Sequence, residues 1–158
     1  MIFNEIIDTA AAVNDYLSKF NTDNFSNKLR KIIFDYIDNP YKFIALEIEK
    51  NNQPSYNLFL VDCTTFVVNV YSLTLSKDYD EFIKNYTKLF YYSNEIRFDT
   101  RIHFTEDRII NSVYFKKIEI PKLNVIRDSA ELILNQKIDN TKLIDIDFSK
   151  KIKIEYYA

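Results

Sequence analysis

The chain opens with two stretches in which apolar residues recur three or four positions apart, the spacing of an α-helix that buries one face. A polar break at 21–24 separates them, and the second stretch stops before Pro40, because proline disfavours helical geometry in the preceding residue. A third helix is predicted to begin at Asp78, which has Glu81 three residues later in a capping-box-like pair. Its apolar stripe continues to about Tyr92.

Five segments have the pattern of β-strands. Apolar and polar residues alternate over 42–49 and 95–104, as in a half-buried strand, whereas 65–75 is apolar on both faces, as in a central strand covered on both sides. The remaining strands are predicted over 56–62 and 109–120. After the last of these five strands, a final helix is predicted between Pro121 and Ile138.

The C-terminal segment predicts a β-hairpin. Every second residue over 144–148 and 152–156 is apolar or aromatic, and a short loop between them sets Phe148 opposite Ile152. Burying one face of this hairpin would contribute roughly 1.5 to 3 kcal/mol per large side chain. Deletion of 141–158 is therefore expected to unfold or aggregate the protein.

Together these elements predict an α+β fold, formed as a single domain over residues 1–158. The prediction is of a mainly antiparallel sheet, with N-terminal helices, further helices packed on the sheet and the C-terminal β-hairpin. The length of 158 residues is near the commonest domain size, so that one core is enough.

The sequence contains no glycine. A P-loop, a dinucleotide-binding G-x-G-x-x-G and a G-x-S-x-G nucleophile elbow all require glycine, for positive φ or for close approach of the backbone to a ligand, and all three are excluded. Tight turns are expected to use Asn and Asp instead. No cofactor is predicted.

The charge balance argues against a nucleic-acid partner, because 21 basic residues face 23 acidic ones, a net charge of -2. Residues 1–20 lack the pattern of a secretory signal, and no apolar run reaches membrane-spanning length, so membrane insertion is not expected. The single Cys63 cannot form an internal disulfide. These observations predict a cytoplasmic protein.

Few residues have the chemistry of an active site. His103 is the only histidine, and its place on a charged strand face favours a solvated surface residue. Cys63 would need a neighbouring base or cation to act as a nucleophile, and a plain core or edge cysteine is the simpler interpretation. With one cysteine and one histidine, a structural zinc site lacks its usual ligands. No catalytic, cofactor-binding or metal-binding residue is predicted.

One pair of acids offers an alternative. Asp145 and Asp147 share a strand face, as carboxylates often do in a magnesium-dependent nuclease or phosphohydrolase. The same spacing occurs on any half-exposed strand, and Asp147 has a charge partner in Lys153 under the hairpin register. A metal-dependent enzyme is therefore kept as the alternative function.

Over residues 42–134 the predicted elements are three strands, a helix, two strands and a helix, an order that resembles that of class I type III secretion chaperones. Within this span, the stretch from Asn94 to Pro121, followed by Leu123, resembles the second half of these chaperones. The resemblance implies a non-catalytic protein that binds a cognate partner and forms a homodimer. An immunity protein that neutralises a toxin fits the same class, and a structural or assembly protein of a phage or secretion machine is a third possibility. The leading expectation is a protein-binding module without enzymatic activity.

Adjacent aromatic residues suggest where such a partner would bind. Tyr91 is turned about 100° from the apolar stripe that holds Phe90, and Tyr157 points away from the face that holds Tyr156. If exposed, Tyr91 and Tyr157 would form a partner-binding patch, since tyrosine suits interfaces. If a further layer covers them, they belong to the core instead.

Overall fold

We describe the chain from a computed structural model. It covers side chains and backbone of residues 10–21, 23–42, 52–103, 107–109 and 114–115, and the backbone of 127–134 and 150–157. The chain divides into two compact units, residues 1–112 and 113–158. The single domain over 1–158 stays a prediction.

The described part of the first unit is helical. No helix in it is long and apolar enough to cross a membrane. Two short 3-10 turns follow the helices, at Tyr92–Asn94 and Phe98–Thr100. The helices are α1 (Ala10–Ser18), α2 (Phe25–Tyr36), α3 (Cys63–Thr74) and α4 (Tyr79–Phe90).

Helices α1, α2 and α4 confirm the helical spacing of the sequence. Asp78 caps α4, because its side chain accepts a hydrogen bond from the backbone N–H of Glu81 at 2.9 Å. The Glu81 carboxylate in turn accepts from the backbone N–H of Lys77 at 2.9 Å. The α4 helix ends at Phe90, close to the predicted end near Tyr92, where the next residue is extended.

Helix α3 replaces the central strand predicted over 65–75. A capping box starts it: Asp62 accepts from the N–H of Thr65, and the Thr65 hydroxyl accepts from the N–H of Asp62, both at 2.8 Å. The helix is buried on most of its circumference, and its buried positions include polar residues such as Asn69 and Ser72, so no one-sided apolar stripe reveals its period. The correct part of the prediction is that this segment is central and covered on both sides.

The core of the first unit lies where α3 packs against α2 and α4. Tyr86 stands at its centre and contacts the rings of Phe82, Phe90 and Tyr56, with centroids 5.3 to 5.9 Å apart. The side chains with no exposed surface include Val13, Leu17, Ile32, Val68, Leu73, Phe82, Tyr86 and Leu89.

Two further predicted strands are largely irregular. In 56–62, the Asn57 side chain accepts hydrogen bonds from two backbone N–H groups ahead of it, and only Val61 forms a β-bridge, with Tyr41. In 95–104 the described backbone contains a 3-10 turn, and Arg101 bridges Tyr91. Most of 42–49 and 109–120 lies outside the described residues.

The described strands of the second unit form an antiparallel pair, β1 (Arg127–Leu134) and β2 (Lys150–Tyr157). The final strand of the predicted hairpin exists, but its described partner is β1, with Ile152 opposite Leu132. Strand β1 occupies the segment predicted to be the last helix. The other half of the predicted hairpin, 144–148, lies outside the described residues.

The predicted fold class is therefore wrong. An α+β fold built on a mainly antiparallel sheet does not describe this chain, whose described residues are mostly helical. Within the described ranges, regular strand pairing is confined to β1 and β2. The reason is that the β-branched residues of α3 favour a strand locally, while burial on most of its circumference stabilises a helix.

Left-handed backbone occurs at residues other than glycine, as the composition requires. Among the described residues, φ is positive at Asn52, Ser93 and Asn94, at 55°, 53° and 60°. Two of the three are asparagines, which confirms the expected use of Asn in tight turns. Ser93 and Asn94 lie in the turn after α4, and farther along the chain the Ile102 N–H donates a hydrogen bond to the Phe90 carbonyl at 2.8 Å.

Candidate active site

The only cysteine of the chain lies at the start of the most buried helix. Cys63 is the first residue of α3, directly after the cap Asp62, and its side chain is exposed. The amino end of a helix carries partial positive charge, which stabilises a negative charge placed there. A thiol at this position is accessible to a substrate and is fixed by a helix whose remaining turns are held in the core.

The segment that leads into Cys63 is held by α3 and α4. The Tyr86 hydroxyl donates to the Ser55 carbonyl at 3.0 Å, and the Ser55 N–H donates to the Tyr91 hydroxyl at 3.3 Å. From α3, the Asn69 amide donates to the Asn57 carbonyl at 2.7 Å. Complete burial raises the pKa of Tyr86 well above its usual value, so this hydroxyl stays a donor at neutral pH. The backbone before the thiol is thereby anchored.

A buried guanidinium lies in the same region. Arg108 is 4% exposed, and its Nη2 donates to the Ile102 carbonyl at 2.5 Å. Its Cζ is 5.7 Å from the centre of the Phe90 ring, while its Nη1 has no hydrogen-bond partner. Burial lowers the pKa of Arg108. Arg108 is thus a buried cation held by a backbone carbonyl and an aromatic ring.

The chain between α4 and Arg108 is rich in aromatic contacts. The Arg101 guanidinium lies 5.0 Å from the centre of the Phe98 ring and 5.7 Å from that of Phe90. The His103 ring packs on Phe98 at 5.2 Å between centroids, and its Nε2 is 3.2 Å from the Phe98 carbonyl oxygen. His103 is half-buried and held by this contact, so the expected solvated strand position is wrong.

An open cleft of about 230 Å³ lies elsewhere in the first unit, between α1, α2 and the loop that precedes Val61. Tyr16 and Asp35 are among its lining residues, and burial with the nearby Asp35 carboxylate raises the pKa of Tyr16. Cys63 does not line this cleft. The thiol and the cleft are therefore separate features.

The other residues singled out in the sequence are less informative. Asp145 and Asp147 lie outside the described residues, and the part of the chain that is described contains no cluster of three potential metal ligands. Tyr91 is 2% exposed, so its expected exposure is wrong: the ring packs against Phe90 at 5.2 Å and the hydroxyl accepts from Ser55. Tyr157 pairs with Arg127 in the sheet. A partner-binding role for Tyr91 and Tyr157 stays a prediction.

Comparison with known proteins decides the family. The model of the AmiA-like family, described as N-acetylmuramoyl-L-alanine amidase-like, matches residues 31–154, well over half of the chain. The chain belongs to the AmiA-like family. The match includes Cys63, His103 and Arg108.

Solved structures support an AmiA-like fold. Protein LPG0564 from Legionella pneumophila matches with a TM-score of 0.60 and 15% identity over 93% of this chain and 62% of that one. An N-acetylmuramoyl-L-alanine amidase from Bacteroides uniformis matches with a TM-score of 0.51 and 23% identity over 72% of this chain and 49% of that one. The chain spans less than two thirds of either structure. No curated protein matches it.

Membership of the AmiA-like family overturns three expectations from the sequence. The resemblance to type III secretion chaperones is wrong, since the matching family and the matching folds are amidase-like. The expectation of a non-catalytic chaperone or immunity module is wrong, because the family is one of hydrolases. The expectation that the protein is not an enzyme is wrong for the same reason. The resemblance in element order was misleading because it included no motif of catalytic or binding residues.

Sequence reasoning missed the position of the cysteine, although one signal was present. Asp62 and Thr65 have the spacing of a capping box, which predicts a helix that begins at Cys63. The run of β-branched residues after it instead suggested a strand, which placed the thiol at a strand end. Arg108 gave no signal, because its burial against Phe90 exists only in the folded chain.

Proposed function

We propose that this chain is a cysteine-dependent amidase that hydrolyses the amide bond between the N-acetylmuramoyl group and L-alanine in peptidoglycan. The observation that carries the proposal is the exposed thiol of Cys63 at the first position of the buried helix α3, in a member of the AmiA-like family. A nucleophile at a helix start, fixed by a rigid element and open to solvent, is suited to acyl transfer.

The proposed reaction has two steps. The Cys63 thiolate attacks the carbonyl carbon of the amide bond that joins the N-acetylmuramoyl group to L-alanine. The carbon–nitrogen bond of that amide breaks, and the L-alanine nitrogen leaves with a proton as an amine. Water then attacks the thioester, which releases the muramoyl carboxylate and restores the thiolate. Neither step requires an oxidant, a reductant or a further substrate.

We assign the proton transfers to His103. It is the only imidazole in the sequence, and imidazole is the side chain best suited to proton transfer near neutral pH. His103 directly follows Ile102, whose carbonyl accepts a hydrogen bond from the buried Arg108. The ring is held on Phe98, which limits its motion.

The test is turnover of N-acetylmuramoyl-L-alanine, measured as release of free L-alanine. Cys63→Ala and Cys63→Ser are expected to lower kcat/KM by roughly 10³-fold or more. Because the chain has one cysteine, alkylation of the wild type should remove activity in proportion to the fraction of protein modified. Ser26→Ala, an exposed residue in the first turn of α2, is the matched control and should keep full activity.

Histidine is tested in the same assay. His103→Gln is expected to lower kcat by about 10²-fold to 10⁴-fold, the usual contribution of a general acid–base residue. Turnover by Cys63→Ala within tenfold of the wild type would contradict the proposed function. Full activity of His103→Gln would contradict only the assignment of the proton transfers.

A further inference from the structure

The backbone carbonyl of Phe98 decides which nitrogen of His103 carries the proton. Its oxygen lies 3.2 Å from Nε2 of the half-buried imidazole ring. A carbonyl oxygen can only accept a hydrogen bond, so this contact requires Nε2 to donate. The neutral ring is therefore assigned from its hydrogen bonding as the Nε2–H tautomer, with the lone pair on Nδ1.

Phe98 holds the imidazole with its ring as well as with its carbonyl. The two rings lie 5.2 Å apart between centroids, with 57° between their planes. The Arg101 guanidinium lies 5.0 Å from the centre of the same phenyl ring, and the Arg101 N–H donates to the same carbonyl at 3.2 Å. A carbonyl oxygen has two lone pairs, so these two donors, Arg101 N–H and His103 Nε2–H, together use both.

The hydroxyl of Thr100 closes the turn that presents this carbonyl. Phe98 is the first residue and Thr100 the last residue of a 3-10 turn. The Thr100 oxygen accepts a hydrogen bond from the Arg97 N–H at 3.2 Å, and its proton is directed to the carbonyls of Arg97, at 2.9 Å, and Glu95. One side chain thus fixes the backbone on both sides of the residue that contacts His103.

We propose that Thr100 is a positioning residue of the amidase, which acts through the Phe98 carbonyl to keep the proton of neutral His103 on Nε2. This inference rests on the proposed function, in which His103 performs the proton transfers. It makes Nδ1 the nitrogen that exchanges protons. Nδ1 gives its proton to the L-alanine nitrogen as the carbon–nitrogen bond breaks, and then takes a proton from the water that attacks the thioester.

The contact with Phe98 also stabilises the protonated ring. When Nδ1 takes up a proton the imidazole becomes cationic, and a hydrogen bond from a charged donor is roughly twice as strong as a neutral one. The opposite tautomer, with the proton on Nδ1, would turn the Nε2 lone pair towards the carbonyl oxygen and lose the bond. The turn therefore favours the same orientation of His103 before and after proton transfer.

The tautomer is measured by nuclear magnetic resonance in protein that is isotopically labelled at its histidine ring nitrogens. Because His103 is the only histidine, the spectrum contains a single imidazole. Spectra are recorded as the pH is raised until the ring is neutral, and the same protein unfolded in urea is the reference. We expect Nε2 to be protonated and Nδ1 unprotonated, with a larger difference between their chemical shifts in the folded protein than in urea, where both tautomers interconvert freely.

Two substitutions test the role of the hydroxyl. Thr100→Val should reduce the chemical-shift difference towards the value in urea, whereas Thr100→Ser keeps the hydroxyl and should keep the wild-type shifts. The matched control is Asp99→Asn, which removes the charge of the pair with Arg97 at 2.7 Å in the same turn but keeps the Thr100 hydroxyl; it should also show wild-type shifts. Circular dichroism confirms that each variant folds.

A proton on Nδ1 and none on Nε2 in the neutral wild-type ring would overturn the inference. So would equal shift differences in the folded and unfolded wild type, a comparison that remains decisive if Thr100→Val does not fold. Wild-type shifts in a folded Thr100→Val would overturn it as well.

Turnover separates this inference from the proposed function. Thr100→Val should lower kcat by about 10-fold to 100-fold with little change in KM, because a misplaced proton-transfer group slows the reaction without weakening binding, and Thr100→Ser should recover most of the rate. A folded wild type with the proton on Nε2 but without turnover would count against the proposed function and leave the tautomer standing. Turnover with the proton on Nδ1 would count against the inference alone.

Discussion

Helices α3 and α4 have the same length and the same kind of start but opposite environments. Each has twelve residues, and each follows an aspartate whose side chain accepts a hydrogen bond from the third residue of the helix. Helix α4 is amphipathic and presents Lys84 and Lys88 to solvent, whereas α3 is buried on most sides and exposes its first residue, Cys63. The comparison teaches that the exposed cysteine lies on the more deeply buried of the two helices.

The largest expected effect concerns the buried leucines of the two helices. Leu73 of α3 and Leu89 of α4 are both fully buried, so Leu73→Ala and Leu89→Ala should each lower the free energy of unfolding by about 2 to 5 kcal/mol. Denaturation in urea measures the change. A cost below about 0.5 kcal/mol for Leu73→Ala alone would show that α3 is not the central helix.

The two aspartate caps separate stability from activity. Asp62→Ala and Asp78→Ala should each cost about 0.5 to 2 kcal/mol, because each leaves an N–H of the first turn without its acceptor. Only Asp62→Ala should also lower amidase activity, since Asp62 fixes the start of the helix at Cys63. Asp62→Asn, which can still cap, should recover stability. An equal loss of activity in Asp78→Ala would contradict the distinction.

The smallest effect is a pH-dependent one at Tyr86. Removing the hydroxyl in Tyr86→Phe should cost about 1 kcal/mol at pH 7, because the hydrogen bond to the Ser55 carbonyl is lost. Burial raises the pKa of Tyr86 in the folded state above its unfolded value, so above about pH 10 the folded state binds more protons and wild-type stability falls as pH rises. The difference between wild type and Tyr86→Phe should therefore shrink over that range.

Chemical denaturation at a series of pH values measures this difference. The exposed Tyr41→Phe is the matched control and should leave stability unchanged at pH 7. A difference between wild type and Tyr86→Phe that stays constant from pH 7 to about pH 11 would contradict the role given to the buried hydroxyl.

How well the sequence predicted each element depended on how clearly its apolar residues showed the spacing of a helix or a strand. The stripe of α4 and the cap at Asp78 are local signals, and both were read correctly. In α3 the valines and threonines favour a strand, and only burial on most of its circumference selects the helix. Strand β1 shows the reverse error: Asp128 and Glu131 have the spacing of a helix start, but the segment pairs with β2.

The candidate site was harder to predict than the fold. Cys63 is the only cysteine and His103 the only histidine, so composition singles them out. The sequence does not show which side chains lie near either of them. The burial of Arg108 against the Phe90 ring depends on tertiary structure. The amidase-like family became evident only by comparison with other sequences.

The turn after α4 is a place where substitution is expected to raise the free energy of unfolding. Ser93 and Asn94 adopt consecutive left-handed conformations, each of which costs a residue with a Cβ atom roughly 1 to 2 kcal/mol relative to right-handed backbone. Glycine, which this chain lacks, adopts left-handed backbone without the steric cost of a Cβ atom. For protein engineering, this turn is thus a place where the domain can be made more robust without altering its core or its thiol.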